Sequence, residues 1–303
     1  MKRKQTKEEE IEDEDQGDQE EVIKKDDEDE DEDDEDKDEE LIDVDFDFFD
    51  PKEIDFHGLK SLIKQTFQND ADQFDISGLA DLVITNAHLG SVVKVDDSTD
   101  PYAVMTVLSF IPDSKTKKLN PAVTAIKEYL ISKSLKSNKQ KHDEFQRILS
   151  DTNSGLLLNE RLINMPPQIV IPMIKMLDEE LEWSVEEKKE KRFEYLVYIS
   201  KTYQEVEPVA DEGEDDDEEE GAPKKKKKKA AAANGASKVI LNFHVEDVVF
   251  EKHAEIQFDF QFTNQTDQSE LQQTAGIKTS RRVYVIKRGK LPEIQAAMKK
   301  LLE

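Results

Sequence analysis

The sequence predicts one α/β domain over residues 41–303, preceded by a disordered acidic tail (1–40) and interrupted by a disordered insert (205–237). Three observations predict it. Apolar residues recur with the strand period of two in some stretches and with helical spacing in others, and the two patterns alternate along the chain. FEYLVYISKTY (193–203) is apolar on both faces, which suits a central strand covered from both sides. The charge is unevenly spread: the formal net charge is −28, but residues 1–40 hold −17 and residues 211–229 hold −3, which leaves −8 for the rest. A net charge of that size is ordinary for a soluble domain.

Asp26 to Glu40 contains no apolar residue. Such a segment cannot bury enough surface to offset its ordering entropy, so order is expected to begin at LIDVDFDFF. There Ile42, Val44, Phe46 and Phe48 alternate with aspartates in the period of a half-buried strand, and Pro51 ends it. Phe56, Leu59, Ile63 and Phe67 then recur at helical spacing, with Asp55 placed to cap that helix. Leu79, Leu82 and Val83 mark a second short helix near 76–86. GSVVKV (90–95) and AVMTVLSFI (103–111) read as two strands joined by a DDSTDPY turn.

Asn120-Pro121 is a helix start, an N-cap followed by proline at the first helical position. Val123, Ile126 and Leu130 form its buried stripe, and Lys133 and Lys136 lie near the far end, where the dipole favours cations. GLLLNERLI (155–163) reads as a strand entering a loop. Pro166-Pro167 starts another helix with Ile169, Met173, Leu177 and Leu181 on one face; Pro172 is early enough to be tolerated, and Trp183 is placed just after this helix as a packing residue. Beyond the insert, HVEDVVFEKH reads as a short helix, IQFDFQF (256–262) and VYVIKR (283–288) as strands, and Leu291, Ile294, Met298 and Leu301 as a terminal amphipathic helix. Residues 238–303 alone offer a thin core, so both flanks of the insert belong to one domain. Loop-closure entropy grows slowly with length, which makes the insert tolerable.

Composition excludes several functions. The chain has no cysteine, hence no disulfide, thiolate metal site or cysteine nucleophile. MKRKQTKEEE has no apolar stretch after its basic start, and no run approaches the length of a membrane-spanning helix, so the expectation is a cytosolic or nuclear protein away from membranes. The acidity argues against direct nucleic-acid binding and favours basic protein partners. DVDFDF resembles the start of a calcium loop, but counting from Asp43 the required Gly and Glu places hold Phe48 and Ile54. His57, His88, His142, His244 and His253 form no metal-binding spacing. No GxSxG, P-loop or GxGxxG occurs, so no motif supports an enzyme, and no cofactor or metal is expected.

DEGEDDDEEEGAPKKKKKK (211–229) places nine acids before six consecutive lysines, Lys224, Lys225, Lys226, Lys227, Lys228 and Lys229. A short basic cluster on an exposed segment fits a nuclear localisation signal. A solvated linker whose lysines balance the adjacent acids is the plainer reading. Nucleic-acid anchoring is a third, and the neighbouring acids oppose it.

Three blocks resemble the BCCIP family of eukaryotic nuclear proteins, in a fungal- or protist-type member: VDFDFFDPKEIDFHGLKSLI (44–63), LADLVITNAHLGSVVKV with DPYAVMTVL (79–95 and 100–108), and GLLLNERLINMPPQIVIPM (155–173). The resemblance implies a mixed, twisted sheet flanked by helices, similar to the GCN5-related acetyltransferases but without their cofactor site. The phosphate-cradling Q/R-x-x-G-x-G/A loop of those enzymes is missing here; Gly90 leads into a strand and Gly289 stands alone. It also implies a non-catalytic nuclear chaperone or adaptor that binds a basic large-subunit ribosomal protein in ribosome biogenesis. Nuclear import and export machinery and a lipid kinase cargo are further implied partners. A nuclear scaffold in DNA repair and cell-cycle control, a divergent acetyltransferase and a generic acidic histone chaperone are the alternatives.

RLINMPPQ (161–168) is the candidate partner-binding site, through Arg161, Leu162, Asn164, Pro166, Pro167 and Gln168. It joins a strand to a helix through paired prolines, which fix a loop at low entropy cost, and functional contacts often sit on such loops. In the competing reading Leu162, Ile163 and Met165 are core and the prolines only start the helix.

Overall fold

The structure, a computed structural model, describes residues 45–95, 98–113, 115–187, 192–205, 239–264 and 277–303. The acidic tail, nearly all of the insert and Lys224–Lys229 lie outside the described residues.

The first strand, β1, is Phe46–Phe49; Ile42 and Val44 fall outside the described part. Helix α1 (Phe56–Phe67) buries Leu59, Leu62, Ile63 and Phe67. Asp55 stands at its start but does not cap it. A 3-10 turn over Glu53–Asp55 precedes the helix, and the carboxylate instead accepts from Lys52 N–H at 2.8 Å and pairs with Lys94 Nζ at 2.7 Å. Helix α2 (Ile76–Thr85) is capped by Asp75, whose Oδ1 accepts from Gly78 N–H at 2.8 Å. Strands β2 (Ser91–Val95) and β3 (Ala103–Ser109) follow as the alternation predicts.

Helix α3 (Pro121–Ser134) begins where Asn120 Oδ1 accepts from Ala122 N–H at 2.9 Å. Lys133 lies in the last turn of α3, as the sequence reading expects, and is also buried. Its Nζ lies 3.3 Å from Asp70 Oδ2 and donates to Gln261 O at 2.7 Å. Helix α4 (Lys139–Asp151) was not expected, because Phe145, Ile148 and Leu149 are a narrow stripe in a mostly polar segment. Its start is marked by Asn138, which caps Lys141 N–H at 2.9 Å.

Strand β4 (Ser154–Arg161) is buried throughout. Helix α5 (Val170–Glu186) follows a 3-10 turn over Pro167–Ile169. Pro172 therefore falls in its first turn, where no intrahelical bond is lost. Trp183 sits within α5, not after it, and is 43% exposed. Strand β5 is Tyr195–Glu205, and a two-residue strand β6 (Leu241–Asn242) pairs with it. Helix α6 (Asp247–His253), β7 (Ala254–Phe260), β8 (Ile277–Lys287) and helix α7 (Leu291–Leu302) complete the chain. β8 starts before the predicted VYVIKR because its polar first half pairs with β5, from Glu205↔Ile277 onward.

The sheet runs β1-β2-β3-β4-β5-β8-β7, with β6 beside β5. β4 and β5 are parallel and the other pairs antiparallel. Alternation along each strand divides the core in two. Leu156, Leu158, Val197, Ile199, Val283 and Val285 pack with α1 to α4, while Leu157, Leu196, Tyr198, Tyr284 and Ile286 pack with α5, α6 and α7. The α/β domain that the residue patterns predict is thus present, with β5 central as its two apolar faces require, and its sheet is mixed and flanked by helices as the family resemblance implies.

Candidate partner-binding site

The site arises from a break in the sheet. β4 and β5 share only four ladder positions, Ser154↔Tyr195 to Leu157↔Tyr198, although both strands run on. β8 takes one edge of β5 along its whole length, so β6, paired at Thr202 and Tyr203, occupies the edge that faces β4. Phe243 N–H extends this pairing to Lys201 O at 2.9 Å. Past Leu157 the sequence turns polar in both strands, and side chains rather than ladder bonds fill the gap.

On the α1 face, Glu160 accepts from Thr66 Oγ1 at 2.7 Å and pairs with Lys201 Nζ at 2.5 Å. Lys201 also donates to Gln65 Oε1 at 3.1 Å. Arg281 is 3% exposed and donates to neutral acceptors: Thr66 O at 2.8 Å, Gln65 O and Ser280 O at 2.9 Å, and Gln68 Oε1 at 3.1 Å. Its guanidinium also lies 4.7 Å from the centre of the Phe262 ring. Burial pushes Arg281 down to about 10. Gln68 meets Arg281 from a backbone at φ 45°, a conformation that L side chains rarely adopt.

On the opposite face, Arg161 makes a two-pronged ion pair with Glu246. Asp247 accepts from Ser200 Oγ at 2.6 Å and Tyr198 OH at 3.0 Å. Burial and the neighbouring Glu246 charge push Asp247 up to about 7. His244 is pushed down to about 3 by burial and by the cations Arg161, Lys201 and Arg281. Removing one partner from a buried pair such as Arg161–Glu246 strands a charge, at a typical cost of about 3–5 kcal/mol.

A cavity of 260 Å³ opens here, with Arg161, Lys201, Arg281, Gln65, Ile163 and Phe243 among its lining residues. The predicted loop therefore borders it in part. Arg161 lies on its wall, although the side chain is 7% exposed and already paired. Leu162 is half-buried and packs against both halves of the core, and Met165 is core. Ile163, which the competing reading placed in the core, is 82% exposed at the cavity rim. Asn164 is exposed, Pro166 and Pro167 are half-buried, and Gln168 is exposed with Nε2 donating to Leu302 O at 3.2 Å. Lys201, Arg281 and Phe243 were missed. Their signal was Ser-Lys-Thr inside an otherwise apolar central strand and Arg281-Arg282 just before the apolar VYVI run of another. Among the described residues no group of His, Asp and Glu is arranged to hold a metal ion.

The BCCIP family matches residues 41–250. The chain is 38% identical over 240 residues to Protein bcp1 of Schizosaccharomyces pombe, covering 77% of this chain and 80% of that protein. It is 38% identical over 264 residues to Protein bcp1 of Aspergillus fumigatus, covering 84% of each. The crystal structure of BCP1 from Saccharomyces cerevisiae superposes with a TM-score of 0.53 over 89% of this chain and 93% of that one, at 22% identity, and so shares the fold. The chain belongs to the BCCIP family, in its fungal type.

Proposed function

We propose that the chain is a non-catalytic nuclear chaperone and adaptor that binds a basic large-subunit ribosomal protein and serves ribosome biogenesis. The observation that carries this reading is charge: a net −28, of which the first forty residues hold −17. A polyanion of that density recruits basic chains, and steering by exposed charges is screened beyond about 8 Å at physiological salt. Specificity then has to come from the folded domain, and family membership supports placing it there. The loop after β4 is suited to the task, since Met165 anchors it in the core and leaves Ile163 and Asn164 outward.

Nuclear export of a cargo such as a lipid kinase, and import through Lys224–Lys229, belong to the same proposal. A sheet of the GCN5-related kind without its cofactor site is part of it too, and a mixed sheet with helices on both faces supports it. Gly90, the glycine nearest to a phosphate loop, opens β2 and gives its N–H to Glu180 Oε2 at 2.5 Å. That amide already serves a carboxylate.

Affinity purification of the full chain beside residues 41–303, at low and moderate salt, tests the reading. One basic large-subunit ribosomal protein should dominate both samples. Many basic proteins that all vanish with residues 1–40 would reduce the function to a generic polyanion.

A further inference from the structure

The cavity between β4 and β5 has a charge opposite to that of the chain. Arg161, Lys201 and Arg281 line it, and among the described residues no carboxylate does. Glu160 and Glu246, which balance Lys201 and Arg161, stand outside the lining. Among the described residues Arg281 hydrogen-bonds to neutral oxygens only, so its buried charge lacks a bonded counter-ion. An unpaired buried charge is costly, and an incoming carboxylate would offset that cost.

Two exposed apolar side chains, Phe243 and Ile163, stand on the cavity wall, and Phe243 belongs to a longer exposed stripe. Val239, Leu241, Phe243 and Val245 alternate outward, at 53%, 37%, 45% and 50% exposure, while His244 turns in. Phe243 and the 82%-exposed Ile163 both stand on the cavity wall, so the stripe and the loop after β4 meet there. Half of the large exposed apolar residues among those described are these five. Exposed apolar side chains at Phe243 and Ile163 beside a charged floor mark an interaction surface rather than scattered surface hydrophobes.

We propose that this gap is the docking site for an acidic–apolar peptide segment of a partner protein. Its carboxylate enters beside Arg281 and Lys201, and its aromatic or aliphatic side chains lie on Phe243, Ile163 and the neighbouring stripe. Glu246 and Glu160 already balance Arg161 and Lys201, so the charge of Arg281 is the one that an incoming acid complements, and it selects this occupant. The site is built from residues other than those of the acidic tail and does not depend on a basic partner, and it gives an adaptor a second, oppositely charged handle.

A panel of labelled ten-residue peptides that combine aspartates with alternating Leu and Phe, titrated into the full chain in about 0.15 M salt, tests this by fluorescence anisotropy. Mixed peptides should bind, and their Asp→Asn versions and all-Asp versions should bind at least about tenfold more weakly. Phe243→Ser and Ile163→Ser, both surface changes, should weaken binding by a similar factor, and Arg281→Gln should do so where it folds. Absence of binding across the panel, equal binding of the Asn versions, or no effect of Phe243→Ser would each overturn the proposal. Binding of the basic ribosomal protein, measured in parallel, separates failure of this site from failure of the chaperone reading.

Discussion

His244 and Asp247 lie three residues apart and respond to acid in opposite senses. His244 is held down to about 3 in the folded chain against an ordinary 6.5, so between those values the unfolded chain binds the extra proton. Its contribution is present above pH 6.5 and is lost as pH falls toward 3; a shift of that size corresponds to on the order of 5 kcal/mol. Asp247 is raised to about 7 against an ordinary 3.8, so there the folded chain holds the proton. Its contribution is present below pH 3.8 and is lost as pH rises through 7. The two slopes oppose one another over the same window. His244→Gln should therefore make the chain less stable relative to the wild type as pH rises from 4 to 7, once the loss of the ring itself is subtracted as a constant. Asp247→Asn should shift the relative slope the other way. Urea midpoints at pH 4, 5.5 and 7 report both, and parallel curves for all three proteins would contradict the burial described here.

Elements were legible where one period dominates. α1, α5 and α7 carry apolar residues at helical spacing, and β5 and β7 show theirs as strands. α4 was hidden because three apolar residues in thirteen give a weak stripe, and β6 because two residues carry no period. The candidate site was half legible for the same reason. The loop after β4 was visible through its paired prolines, whereas Lys201 and Arg281 become neighbours only when β5 and β8 pair, Lys201 directly opposite Arg281. Sequence spacing carries no trace of that register. Gly90 is a case where geometry explains a residue. It sits at φ 100°, and a Cβ there would lie 2.2 Å from Met105 O and 2.6 Å from Thr106 Cα. Backbone at that distance cannot step aside as a flexible side chain would. Gly90→Ala should cost more than about 1 kcal/mol and disturb the entry to β2, measured by urea unfolding. A cost within about 0.5 kcal/mol, typical of surface changes, would mean that this close approach is relaxed in solution.

At the scale of the whole molecule, the chain is an acidic protein whose folded domain is built around one discontinuity, the gap where β4 leaves β5. In the proposed function the tail would supply attraction that salt screens, while the domain would supply shape through the Ile163 loop and the cavity beside it. Under the proposed function, such a chain would protect a basic ribosomal protein by covering the surface that RNA would otherwise take. The most direct measurement mixes the purified full chain with the basic ribosomal protein recovered on it and a large-subunit rRNA fragment that this protein binds, followed by size-exclusion chromatography. The account predicts a one-to-one protein complex that excludes the RNA until RNA is in excess. A stable ternary complex, with RNA and chain on the ribosomal protein together, would contradict it.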